Sequence, residues 1–167
     1  MVKKKVYFVI LFSLLVVTLL SFYVSAQPFC QFASSATATS ENNLGSLSTY
    51  STGTPDTHFS EQCATWSGYG SSWSPSNWNI KANLTLNYNT PVYVSNLTIF
   101  GDYDMCWNNI WLKNSVTGNE TRIFNGFDNS CTITQLLNGN FQADSIILET
   151  CGWSWSSTDA VELCGNI

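Results

Sequence analysis

Beyond Trp78, apolar and polar residues take turns along the chain. Ile80, Ala82, Leu84, Leu86 and Tyr88 alternate with Asn79, Lys81, Asn83, Thr85 and Asn87. A period of two predicts a half-buried strand. Asn89-Thr90-Pro91 reads as a turn, and Val92 to Phe100 as a second strand, with Leu97 and Ile99 inward and Asn96 and Thr98 outward. Asn109–Lys113, Thr121–Asn125, Phe141–Thr150 and Thr158–Cys164 are further strands, and Ser115–Gly118 is a turn. No segment sustains a helical period. The pattern predicts an all-β, antiparallel sandwich of two sheets. Ala33 to Ser76 differs: it is rich in Ser, Thr, Gly and Asn and poor in aliphatics, as loops and short edge strands are. It still carries Trp66, Tyr69 and Trp73, so it reads as ordered.

The first 26 residues stand apart. Lys3, Lys4 and Lys5 precede a long apolar run that ends at Val24-Ser25-Ala26. This is the layout of a secretory signal cleaved before Gln27, and the run is also long enough to serve as an uncleaved membrane anchor. Either way, residues 27–167 form one exported domain, secreted or held at the cell surface. All eleven Asp and Glu lie in it, opposed only by Lys81, Lys113 and Arg122. Such a surface has no basic stripe for nucleic acid and no attraction to anionic lipid. Contact with a membrane would come only through an uncleaved N-terminal segment.

All six cysteines also fall in the exported part: Cys30, Cys63, Cys106, Cys131, Cys151 and Cys164. An even number in an oxidising compartment reads as three disulfides whose pairing the spacing leaves open. Zinc fits poorly, with no C-x-x-C and His58 as the single histidine. Asn83, Asn96 and Asn119 each open an N-glycosylation sequon. The first two fall on the polar sides of their strands.

Several segments in fixed order carry a resemblance. They are Ala33-Ser34-Ser35, TGTPD at Thr52–Asp56, WNIKANLTLNYNTPVYVSNLTIFG from Trp78, ADSIILET from Ala143, and the ending WSSTDAVELCG from Trp155. Together they resemble the galactose-binding-like, discoidin-type jelly rolls. The chain departs from that pattern at GDYDMCWNN (Gly101–Asn109), at Thr158, where an apolar residue is usual, and in the extra cysteines Cys106 and Cys151. The resemblance implies a disulfide-stapled, two-sheet sandwich that binds glycans, lipids or other cell-surface molecules through loops at one end. It also implies a structural calcium ion, with Asp56 and Glu162 as candidate ligands. The close-lying ends of such domains imply the pair Cys30–Cys164, with Cys106–Cys151 and Cys63–Cys131 as the others.

The residues themselves offer two readings at each candidate site. Asp102 and Asp104 flank Tyr103 and could clamp sugar hydroxyls or a metal, or be solvated loop residues. Asp56 could bind an ion or cap its own turn. Trp153 and Trp155 share a face if their stretch is extended, and a Cys106–Cys151 bond would bring Trp107, Tyr103 and Asp102 beside Trp153. Aromatic faces suit the C–H faces of sugars, yet most tryptophans pack in cores. Trp78 and one of Trp153 and Trp155 are therefore expected in the core. No nucleophile elbow, phosphate loop or triad is present. The expectation is a non-catalytic glycan-binding module. The alternative is a structural surface glycoprotein domain that docks proteins and binds no small ligand.

Overall fold

A computed structural model describes residues 27–42, 45–55, 72–101, 106–128, 130 and 132–167. The leader and Asp56, Cys63, Asp102, Tyr103, Asp104 and Cys131 lie outside the described residues, and with them the Cys63–Cys131 pair. The described part contains eight strands: β1 (Phe29–Phe32), β2 (Ser35–Ala38), β3 (Asn83–Phe100), β4 (Trp107–Lys113), β5 (Glu120–Asp128), β6 (Thr132–Leu136), β7 (Gln142–Thr150) and β8 (Ala160–Asn166). Every pairing is antiparallel. One sheet runs β2-β3-β7-β4-β5 and the other β1-β8-β3-β6, so β3 belongs to both. This is the expected antiparallel sandwich.

The expected turn at Asn89-Thr90-Pro91 is absent. β3 runs through it as one strand of 18 residues. Its first part pairs with β2 and β7, its second with β8 and β6, and the register with β7 shifts between Asn87 and Val92. Pro91 sits at this break, where no ladder hydrogen bond is asked of it. The Gln31 side chain fills the gap. Its Nε2 donates to the Thr90 carbonyl and its Oε1 accepts from the Thr90 N–H. The turn residues thus bend a strand between sheets rather than end it.

The alternation seen in the sequence holds, with one slip. Leu84, Leu86, Tyr88, Val92 and Val94 are buried at even positions, then Leu97 and Ile99 at odd ones. A bulge between Val94 and Asn96 makes the change of parity. Ile110, Leu112, Ile146, Leu148, Val161 and Leu163 complete the core. Each such side chain removed from water contributes roughly 1.5–3 kcal/mol. The Tyr88 hydroxyl crosses the sandwich to the Val161 carbonyl, 3.2 Å away. Its burial raises the phenol pKa well above the usual value.

Both described disulfides match the expected pairs. Cys30–Cys164 joins directly opposed residues of β1 and β8, and Cys106–Cys151 ties the start of β4 to the loop after β7. Ile80 departs from expectation: it lies before β3 and is exposed. β1 and β6 had no counterpart in the alternation.

Gly165 lies where β8 crosses β3 most closely. A Cβ there would meet the Tyr93 carbonyl oxygen at 2.2 Å, whereas one at Gly126 meets nothing nearer than 3.8 Å. Gly165→Ala should therefore lower unfolding stability by about 1–3 kcal/mol or more, because backbone must move. Gly126→Ala should stay within about 0.5 kcal/mol. Urea unfolding of the two variants checks this.

Candidate ligand-binding site at the loop end

The registers bring several parts of the chain to one end of the sandwich. Ala82 meets Thr150, which meets Trp107, and Trp107 meets Asp128. On the other sheet Phe100 meets Ala160 and Thr132. Segments 72–82 and 151–159 therefore gather at this end beside Gly101 and Cys106, and Asn42 and Ser46 join them through Ser74.

The segment CGWSWSSTD inverts the usual polarity. Trp153 and Trp155 are exposed, while Ser156, Ser157 and Thr158 are buried. Two of the three hydroxyls find partners inside, and Thr158 is held through its backbone. Ser156 Oγ donates to the Cys106 carbonyl at 2.8 Å and accepts from the Cys106 N–H at 3.2 Å. Ser157 Oγ pairs with Ser72 Oγ at 2.7 Å. Thr158 exchanges two backbone hydrogen bonds with Trp73 and accepts a third from Ser51 Oγ. Added to the Cys106–Cys151 bond, these contacts fix the loop at both ends. Gly152, at φ +75°, starts the turn that takes it off β7.

Beneath the loop, Trp73 and Trp107 are fully buried and stacked, with ring centroids 6.2 Å apart and planes 14° apart. Trp73 Nε1 donates to the Ser40 carbonyl. Trp107 therefore cannot face a ligand, as the sequence suggested it would; the bulge at the start of β4 turns it inward.

Trp78, expected in the core, is exposed instead. Asn77 Oδ1 accepts from the Asn79 N–H, a local turn that holds Trp78 out of the sheet. Neither Trp153 nor Trp155 is core either, because their stretch is a loop rather than a strand. The relative exposures are 48% for Trp78, 36% for Ile80, 58% for Trp153 and 37% for Trp155. The two loops that carry them touch. A Cβ at Gly152 would lie 2.8 Å from Lys81 Cγ and 3.3 Å from the Ile80 carbonyl carbon. Only a glycine allows that approach.

Below this contact stands Glu149 on β7. Its carboxylate accepts hydrogen bonds from Asn108 Nδ2 and Asn109 Nδ2, and Lys81 Nζ lies 3.5 Å away. Partial burial pushes its pKa up, but the two amides and Lys81 outweigh this and hold it below the usual carboxylate value. Glu149 thereby tethers the segment that carries Trp78 and Ile80.

Other expected residues lie elsewhere. Glu162 stands on the outer side of β8, between Phe32 and Thr98 in register. Its carboxylate lies within 4.8 Å of the sulfurs of the Cys30–Cys164 bridge. Asn83 and Asn96 sit on opposite sheets, and Asn119 follows the exposed turn between β4 and β5. Gly101 and Cys106 are buried at the loop end, and Asp102, Tyr103 and Asp104 between them lie outside the described residues. The platform residues Trp78 and Ile80 were missed. The Asn-Trp-Asn turn was their one signal.

No protein-family model matches the chain, and no curated protein matches it in sequence. Solved structures match its fold. A family 32 carbohydrate-binding module from Clostridium perfringens NanJ, in complex with galactose, superposes with a TM-score of 0.55 at 15% identity, covering 81% of this chain and 99% of that one. The lectin domain of lectinolysin, complexed with Lewis b antigen, gives 0.58 at 14% identity, over 80% and 93%. The module CpGH89CBM32-4 from Clostridium perfringens, in complex with GlcNAc-α-1,4-galactose, gives 0.60 at 12% identity, over 85% and 97%. The fold is that of the galactose-binding-like jelly rolls. Galactose-binding-like domains thus share with this chain its two-sheet architecture over most of its length.

The Glu149 tether has a pH signature. A carboxylate with a lowered folded pKa contributes stability that is fully present above its unfolded value of 4.5 and lost as pH falls through the folded one. Glu149→Gln should therefore flatten the fall in stability below pH 4.5. Urea midpoints measured from about pH 6 to pH 3 check this, and equal acid limbs in parent and variant would count against it.

Proposed function

We propose that this chain is an exported, non-catalytic module that binds a glycan on the aromatic platform of its loop end. The observation that carries the reading is that Trp78, Trp153 and Trp155 are exposed on two loops locked together at Gly152. Exposed tryptophans cost solvation unless something covers them, and their rigid faces match the C–H faces of sugar rings. Fixing the loops beforehand lowers the entropy lost on binding. The structural neighbours named above are complexes with galactose, Lewis b and GlcNAc-α-1,4-galactose, which supports a saccharide as ligand. The buried disulfide Cys106–Cys151 and the cross-strand Cys30–Cys164 suit an oxidising, extracellular setting.

Binding of galactose-containing oligosaccharides, followed by tryptophan fluorescence and calorimetry, tests the proposal. Trp153→Ala and Trp155→Ala should each weaken binding about tenfold, equivalent to 1.4 kcal/mol, with the melting temperature unchanged. Trp107→Ala should instead cost about 3–5 kcal/mol of stability. Saccharides that produce no saturable signal, together with self-association or capture of a protein partner, would favour the protein-docking alternative.

Calcium bound through Asp56 and Glu162 is a separate proposal that rests on the sequence resemblance alone. Melting in EDTA and then in excess calcium tests it. A rise of several degrees is its expected signature, and an unchanged midpoint removes it.

A further inference from the structure

The outer face of the five-stranded sheet is ordered in rows by the strand registers. Asn83, Glu149 and Asn109 form one row across β3, β7 and β4; Thr85, Ile147 and Trp111 form the next. Ile147 and Trp111 are half-buried apolar side chains on an outward face, since their neighbours Leu148, Ile110 and Leu112 fill the core. This strip begins beside a sequon. In Asn83-Leu84-Thr85, Leu84 is fully buried, so Asn83 and Thr85 both point outward onto the strip. Neighbouring strands lie about 4.8 Å apart, which puts Ile147 one strand and Trp111 two strands from the sequon.

The other two sequons lack these surroundings. Asn96 lies at the β3 bulge between Cys164 and Leu136, and its side-chain oxygen is buried without a hydrogen-bond partner. Asn119 is exposed at the end of a turn, where Lys113 and Glu120 pair as an ion pair. Only Asn83 stands in a polar row that runs alongside an apolar strip. An N-acetylglucosamine unit has the matching character, with an apolar C–H face and a polar rim. Glu149 and the Asn108 amide, both half-buried, offer an acceptor and a donor to that rim.

We propose that Asn83 carries an N-linked glycan whose first sugars lie across Ile147 and Trp111, closing the outer face of the five-stranded sheet. This surface adjoins the loop-end platform at Glu149 but uses none of its tryptophans, and the inference does not rest on the glycan-binding reading. A glycan that packs this way stabilises the native state, because the unfolded chain cannot offer the strip.

The test uses the full chain secreted from a glycosylating eukaryotic cell. Enzymatic deglycosylation in heavy-oxygen water, followed by peptide mapping, should mark Asn83 as a former glycan site. The same treatment should lower the melting temperature by several degrees in the parent and by almost nothing in Trp111→Ala, the mark of coupling between the two. Thr85→Ala, which removes the sequon, should melt like the deglycosylated parent, whereas Thr85→Ser, which keeps it, should melt like the glycosylated one. This pair decides the matter if Trp111→Ala does not fold. An unmodified Asn83, an equal fall in Trp111→Ala, or a Thr85→Ala protein as stable as the glycosylated parent would overturn the proposal.

Discussion

One strand has to serve two sheets, and the rest of the molecule follows from how it does so. β3 pairs with β2 and β7 before its bend and with β8 and β6 after it. At the bend its backbone leaves the ladder, and unpaired peptide groups at such a point are costly. The side chain of Gln31 meets both polar groups of Thr90. Gln31 comes from β1, a strand of only four residues, and the neighbouring Cys30 bonds that strand to β8. A short edge strand with little core of its own is thus held covalently, and in turn supports the corner of the longest strand. Gly165 completes the arrangement by letting β8 approach β3 at Tyr93.

The loop end is held in a different way. Its loops contain few aliphatic residues and cannot be held by a core. Buried hydroxyls, backbone exchanges and a disulfide hold them instead, with the Trp73–Trp107 stack as a floor. Because serine and threonine occupy the inside, tryptophan can occupy the outside. Loops fixed this way have little conformational freedom left to lose when something covers their tryptophans.

Much of the fold was legible because alternation reports directly on which side of a strand is buried. Leu84, Leu86, Leu97 and Ile99 fall where the pattern puts them. What could not be read was context. Asn89-Thr90-Pro91 has turn composition, yet a distant glutamine makes it a bend within a strand. β1 and β6 are short edge strands, whose pairing depends on neighbours more than on their own residues. At the site, the sequence pointed to Trp153 and Trp155 but set one of them in the core, and set Trp107 at the surface in place of Trp78. A tryptophan's fate there depends on the turn at Asn77 and the bulge in β4, neither of which periodicity reveals.

The most direct measurement is a ¹⁵N–¹H spectrum of the indole N–H groups during titration with a galactose-containing oligosaccharide. The signals of Trp78, Trp153 and Trp155 are expected to move together and saturate, while those of Trp73 and Trp107 stay in place. Saturable shifts confined to other tryptophans, with these three silent, would contradict it.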